Sequence, residues 1–398
     1  MKNVATILVK KAFKKGYAKS SLNAFFFLTI RKHDTYHMER RGCMDMNGLS
    51  TGRRSIKNMG KSNFAGIEGF PSEVLQKYKI NVTEGKKENK FWLIKSREKS
   101  YAAWEYTSNI EILEMSLKWQ DYLRQNGFTK ILPYVKTVTG ENYVKVNKKN
   151  YYITEFIEGK PLDFQRREDL LELARTLAEI YACSRNFEYE KIGEKEISWL
   201  KIKQDRLTEL LFFYQYLSDK KLINDYERLY MENFKTYYNR GQEAIEKMVM
   251  AGYNPSNKAQ TIVLMGNFLE ENIVKINSDL MFLHATSCIK GPMIMDLSLL
   301  LCMCLPKHKW DWELAKDIIM EYQKKVQLNM NEKYMLLAQL YFPRRFWMYS
   351  YRYFKGDGEL NNITEKLKKY LYETYWQDKC LNKLENWMLE EENNEYEG

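Results

Sequence analysis

Apolar residues recur with two different periods along this chain. Between Ile67 and Ile157 they come in short runs with turn residues between them. Pro71–Tyr78 reads as a short helix leading into a strand over Lys79–Val82. The segment EGKKENK reads as a turn, followed by strands through Phe91–Ile94 and Ser100–Tyr106, with Arg97–Lys99 turning between them. Over Asn109–Asn126 the period changes: Ile112, Met115, Trp119, Tyr122 and Leu123 recur at helical spacing, and Gly127 supplies a stop. Strands return at Tyr143–Val146 and Tyr151–Ile157, split by a turn at Asn147–Asn150. Glu158-Gly159-Lys160-Pro161 reads as a hinge.

Beyond the hinge the helical period dominates. Asp169–Arg185 carries Leu170, Leu173, Ala174, Leu177, Ile180 and Tyr181 on one face. Further helices are expected at 197–218, 221–238, 241–251, 293–304, 311–327, 331–341 and 363–378. One stretch interrupts them, TIVLMGNFLEENIVKINSDLMFLHATSCIKGPMIMDLS over 261–298. There a Gly-Asn loop precedes two short apolar strands, Ile273–Ile276 and Leu280–Leu283, and a helix follows from Pro292. The expected organisation is α+β in four parts. Residues 1–66 form a basic extension, 67–157 a β-rich lobe, 158–385 a helical lobe and 386–398 an acidic, frayed tail.

The net charge of +11 suggests nucleic-acid binding until it is located. Residues 1–66 hold 14 of the 63 Lys and Arg but 3 of the 52 Asp and Glu, so the rest of the chain carries 49 of each. A nucleic-acid groove needs a basic excess on the body itself, so no nucleic-acid partner is expected. The extension reads as a poorly ordered tail, or as reading frame upstream of a natural start at Met44, Met46 or Met59. It carries no secretory signal pattern, and no apolar run approaches the ~20 residues that span a bilayer. Six scattered cysteines without a CxxC pair read as reduced, buried thiols rather than a zinc site.

The order of a β-rich lobe, a hinge and a helical lobe, together with particular residues, resembles the spore coat proteins of the CotS type. These are a branch of the aminoglycoside-phosphotransferase and protein-kinase-like superfamily. The resemblance covers about residues 67–385. It rests on YLRQNGFTKILPYVKTVTGENYV, YYITEFIEGKPLDF, LAEIYACS, GNFLEENIV and FPRRFWMYSYRYF. It implies a two-lobed kinase-like fold, and 261–298 would then be its active-site floor.

The family's catalytic loop reads His-Gly-Asp, with Asn five residues after the Asp. In this chain Met265 stands in the His place, Gly266 is kept, Asn267 replaces the catalytic Asp and Asn272 is kept. His284 stands in the place of the metal-binding Asp, and the structural Asp is kept as Asp296. Trp104 occupies the place of the ATP-binding Lys, Lys95 is the nearby substitute, and the phosphate loop keeps one glycine, Gly85. Phosphoryl transfer needs a carboxylate at the acceptor hydroxyl, Mg²⁺ between the phosphates and fixed cations on their oxygens. Neutral Asn267 cannot take up a proton usefully, and His284 offers nitrogen where Mg²⁺ prefers oxygen. The expectation is therefore a catalytically degenerate member without a cofactor. Its implied role is structural or in assembly: made in the mother-cell cytoplasm, deposited in the spore coat, with other coat proteins as partners. The alternative is an active or ligand-binding small-molecule phosphotransferase, the only case in which ATP and Mg²⁺ enter.

Overall fold

The computed structural model describes residues 67–88, 91–189, 198–254, 262–266, 272–276, 279–356 and 359–395. The chain divides into two compact units. Among the described residues one comprises 67–110 and 133–157, the other 111–132 and 158–395.

The first unit is an antiparallel sheet with one short helix, α1 (Ser72–Gln76). Its strands are β1 (Val82–Lys87), β2 (Phe91–Ser96), β3 (Ser100–Tyr106), β4 (Tyr134–Val135), β5 (Val144–Val146) and β6 (Lys149–Phe156). They lie in the order β1-β2-β3-β6-β4, with β5 also paired to β6. Asn147 and Lys148, both at positive φ, make the tight turn between β5 and β6. Alternation sends Trp92, Ile94, Ala103, Tyr151 and Ile153 to one face, where they pack on Ile67, Phe70, Val74 and Tyr78. The segment read as a turn after Val82 is strand instead. Gly85, the glycine assigned to the phosphate loop, lies inside β1 opposite Ile94, and a Cβ there would meet the Ile67 side chain at 2.4 Å.

The second unit opens with α2 (Ile110–Gln125), whose first residue belongs to the sheet unit. Chain 128–132 then runs beside the later hairpin, with Leu132 N–H donating to Phe282 O and Phe282 N–H to Lys130 O, both at 2.9 Å. These bonds group 111–132 with the helical residues, although the sequence pattern reads them with the first lobe. The hinge residues Lys160–Pro161 form a two-residue strand, β7, which pairs with β9 (Ile273–Ile276). Next come α3 (Arg167–Ser184), α4 (Trp199–Ser218) and α5 (Asp225–Met250).

Gly241 reads as a break between two helices, but α5 runs straight through it. The glycine is there for close approach: a Cβ would sit 2.3 Å from Leu207 on α4. After β8 (Ile262–Leu264), β9, β10 (Asp279–Phe282) and β11 (Ile289–Gly291), the chain finishes in helices. They are α6 (Ile294–Cys304), α7 (Trp312–Gln323), α8 (Met330–Tyr341), α9 (Arg344–Lys355) and α10 (Leu360–Glu395). Helix α9 is formed by the aromatic stretch, and Phe346, Trp347, Tyr349, Tyr351 and Phe354 are buried. The acidic end expected to fray continues α10 as far as Glu395. Residues 1–66, and with them the basic extension, lie outside the described residues. No described helix is long and apolar enough to cross a membrane.

Candidate active-site frame

The frame is built where β8 hands the chain to a loop. Strands β8 and β11 pair antiparallel, with Leu264 opposite Ile289, so Met265 and Gly266 emerge beside the loop that precedes β11. Gly266 has φ +69°, and a Cβ on it would lie 2.7 Å from Ser287 O. Both facts require glycine.

Asp296, in the first turn of α6, is almost wholly buried at 2% exposure. Its carboxylate accepts the Met265 N–H at 2.8 Å and the Gly266 N–H at 3.2 Å. It also accepts the hydroxyl of Tyr181 from α3. Burial pushes the Asp296 carboxyl up to about 6, although all three donors act to lower it. Burial and the neighbouring carboxylate raise the Tyr181 phenol well above its ordinary value. Asp296 thus holds the start of the loop after β8 through the Met265 and Gly266 amides. Tyr181 is the partner that sequence reasoning missed. Its signal was a large hydroxyl-bearing side chain at core spacing on the mainly apolar face of 169–185.

Asn272 lies at the start of the β9–β10 hairpin, and its carbonyl accepts the Leu283 N–H at 2.8 Å. This closure of the hairpin brings the next residue, His284, to Asn272. His284 Nε2 is 3.2 Å from Asn272 Oδ1, and Thr286 Oγ1 is 3.4 Å from His284 Nδ1. An amide oxygen only accepts, so Nε2 carries the proton and donates to Asn272. In the neutral ring Nδ1 then accepts from the Thr286 hydroxyl. The residues at the two expected metal-ligand positions are therefore bonded to each other, and both are half-buried. Helix α2 fixes the same loop from another side. Gln120 Nε2 donates to Ala285 O at 2.9 Å, and the Cys288 N–H donates to Ser116 Oγ at 3.3 Å.

Lys95 and Trp104 lie on one face of the sheet unit. Strand β3 presents Ser100, Ala102, Trp104 and Tyr106 on that face, so it holds no cation at any register. Trp104 is buried, donates from Nε1 to Thr154 Oγ1 at 3.1 Å, and stacks on Tyr152. Phe91 packs against it with ring centroids 4.9 Å apart. Lys95 is exposed and paired to Glu84 at 2.9 Å. Asn267 lies outside the described residues. Among the described residues no three His, Cys, Asp or Glu side chains are grouped as a metal site.

The family model described as "Spore coat putative kinase YutH" matches residues 72–384, most of both units. The chain belongs to this spore coat family. It is a kinase-like protein of the spore coat. No curated protein matches its sequence. Among solved structures, it is similar to an aminoglycoside phosphotransferase from Alicyclobacillus acidocaldarius subsp. acidocaldarius DSM 446. The TM-score is 0.74 and the identity 17%, over 80% of this chain and 96% of that one. The amicoumacin kinase hAmiN, solved with AMP-PNP, Ca²⁺ and Ami, matches with a TM-score of 0.53 and 11% identity, over 78% of this chain and 92% of that one. At these identities the likeness is one of fold. The YutH-family chain therefore has the aminoglycoside phosphotransferase fold, α+β with a sheet unit and a helical unit.

Proposed function

We propose that this protein is a structural or assembly component of the spore coat that uses a kinase-like fold without phosphoryl transfer. The observation that carries the reading is the His284–Asn272 hydrogen bond. It occupies the amide oxygen that a metal would need, and it places a nitrogen donor where the family has a carboxylate. Asn267 removes the proton acceptor, β3 itself carries no Lys or Arg for phosphate oxygens, and Lys95 on the neighbouring strand is paired with Glu84. The work of the fold would then be association with other coat proteins through its surfaces, after synthesis in the mother cell.

Thermal unfolding with ATP, with and without Mg²⁺ or Mn²⁺, tests the reading. No metal-dependent shift is expected. A metal-dependent rise of several degrees that Asn272→Ala abolishes would overturn it. That outcome would favour the alternative, a ligand-binding or active small-molecule phosphotransferase, which the intact brace of Gly266 and Asp296 supports. Spores carrying Asn272→Ala and His284→Ala should still incorporate the protein into the coat.

A further inference from the structure

Helix α10 runs for 36 residues and packs Ile363, Leu367, Tyr370, Leu381, Leu384 and Met388 into the helical unit. Its opposite face is basic and aromatic. Lys368, Lys369, Lys379 and Lys383 are exposed there, along about 22 Å of helix. Between them stand three rings, Tyr372 at 78% exposure, Tyr375 at 56% and Trp376 at 41%. Tyr375 and Trp376 meet edge to face at 5.1 Å, and the Lys379 ammonium lies 4.4 Å from the centre of the Tyr375 ring.

Little on this part of the helix answers the charge. Glu365 pairs with Lys368 at 2.8 Å. Glu373 and Asp378 are held on other sides of the helix, by Arg345 of α9 and Arg240 of α5. Among the described residues Lys369, Lys379 and Lys383 meet no carboxylate. Lys383 leans instead to α7, 5.3 Å from the centre of the Trp312 ring. Between 361 and 389 no Leu, Ile or Met of α10 is exposed, so the face lacks the aliphatic area with which an interfacial helix enters a lipid surface.

The complementary charge is on the same helix. Residues 390–395 hold Glu390, Glu391, Glu392 and Glu395 and no cation. Helix α10 continues through them to Glu395, so they lie beyond the basic face along one axis and cannot fold over it within their own chain. A second copy can present them. In an antiparallel pair of α10 helices with Asn382 on the two-fold axis, 390–395 of each copy run beside 369–374 of the other. The exposed Asn382 and Asn386 near that axis are uncharged.

We propose that the outer face of α10 pairs antiparallel with α10 of a second copy of this chain, each acidic end seated on the Lys368, Lys369 and Tyr372 face of the other. One helix then carries both halves of the contact, as an isologous two-fold interface requires. The exposed rings supply contact area, and the opposed charges set the antiparallel direction. The pairing is independent of the metal positions and of the reading of them given above.

The test uses the full chain. Sedimentation equilibrium from about 1 to 100 µM protein in about 50 mM NaCl is expected to show a dimer whose dissociation constant rises at least about tenfold in about 500 mM NaCl. One variant combines Lys368→Glu with Lys369→Glu, and another combines Glu390→Lys, Glu391→Lys and Glu392→Lys. Each should weaken the homodimer at least about tenfold and leave Tm within about 2 °C of the wild type. Mixed together, the two variants should form a heterodimer tighter than either homodimer, because each acidic surface then meets a basic one. Tyr372→Ser, which changes no charge, should weaken the wild-type dimer about tenfold, and it serves as the test if a charge variant does not fold. A chain that stays monomeric at about 100 µM, a dimer unchanged in the variants, or a mixture that does not associate would overturn the proposal. A monomer that binds anionic vesicles or single-stranded DNA would overturn it in favour of that partner.

Discussion

The hydroxyl of Tyr181 and the carboxylate of Asp296, 115 residues apart, are hydrogen-bonded in the interior of the helical unit. Asp296 also holds two consecutive backbone N–H groups, those of Met265 and Gly266. Only a carboxylate can accept all three at once, which is the physical reason for a charge at this depth. Tyr181→Phe should cost about 1–2 kcal/mol, and Asp296→Asn, whose amide turns an acceptor into a donor, about 2–3 kcal/mol. Urea unfolding at pH 8 measures both.

The same pair sets a pH dependence. The folded-state carboxyl of Asp296 is raised to about 6 from an ordinary 3.8, so the native state favours its protonated form. That contribution is fully present below about pH 4 and is lost as pH rises through 6. The loss is at most about 3 kcal/mol. Asp296→Asn should flatten this part of the stability profile, read by urea midpoints between pH 4 and 7. A variant slope equal to the wild type's would assign the dependence to another group.

Gly266 combines a φ of +69° with a Ser287 carbonyl 2.7 Å from where its Cβ would be. Gly266→Ala is expected to destabilise the protein by about 2–3 kcal/mol, part backbone strain and part displacement of the Ser287 peptide. The Tm of the variant checks this directly.

If the metal site is lost locally, at Asn267 and His284, it should return locally. In the double variant Asn267→Asp, His284→Asp, two carboxylates join Asn272. At 5 mM Mn²⁺ a Tm rise of about 2 °C or more is expected, absent in the wild type. An unresponsive double variant would show that the frame itself has moved.

The two candidates in the sheet unit should behave oppositely. Trp104→Ala removes a buried ring bonded to Thr154 and should cost about 3–5 kcal/mol. Lys95→Ala breaks only an exposed pair with Glu84 and should cost under about 0.5 kcal/mol. A large effect at Lys95 would contradict the surface role.

Some elements were less legible than others. Strands β2 and β3, the β9–β10 hairpin and α6 follow from short apolar runs and the turn residues that bound them. Gly85 and Gly241 misled the reading, since a glycine marks a turn and a close packing contact in the same way. Here each admits a neighbour's side chain, Ile67 or Leu207. The FPRRFWMYSYRYF stretch hid helix α9 because its aromatics are apolar and tyrosyl on nearly every side.

By itself the sequence determined the α+β order, the placement of the loop at 265–272, and the substitutions at Met265, Asn267 and His284. Those are local facts of residue type and spacing. Only the tertiary structure decided what the residues do to one another. It bonded His284 to Asn272, gave Asp296 the hydroxyl of Tyr181, and set Lys203 and Arg206 on a buried stripe. Each of these joins distant segments or depends on how a helix face packs. Burial then fixes the consequence, because the strength of a charge or a hydrogen bond depends on what surrounds it.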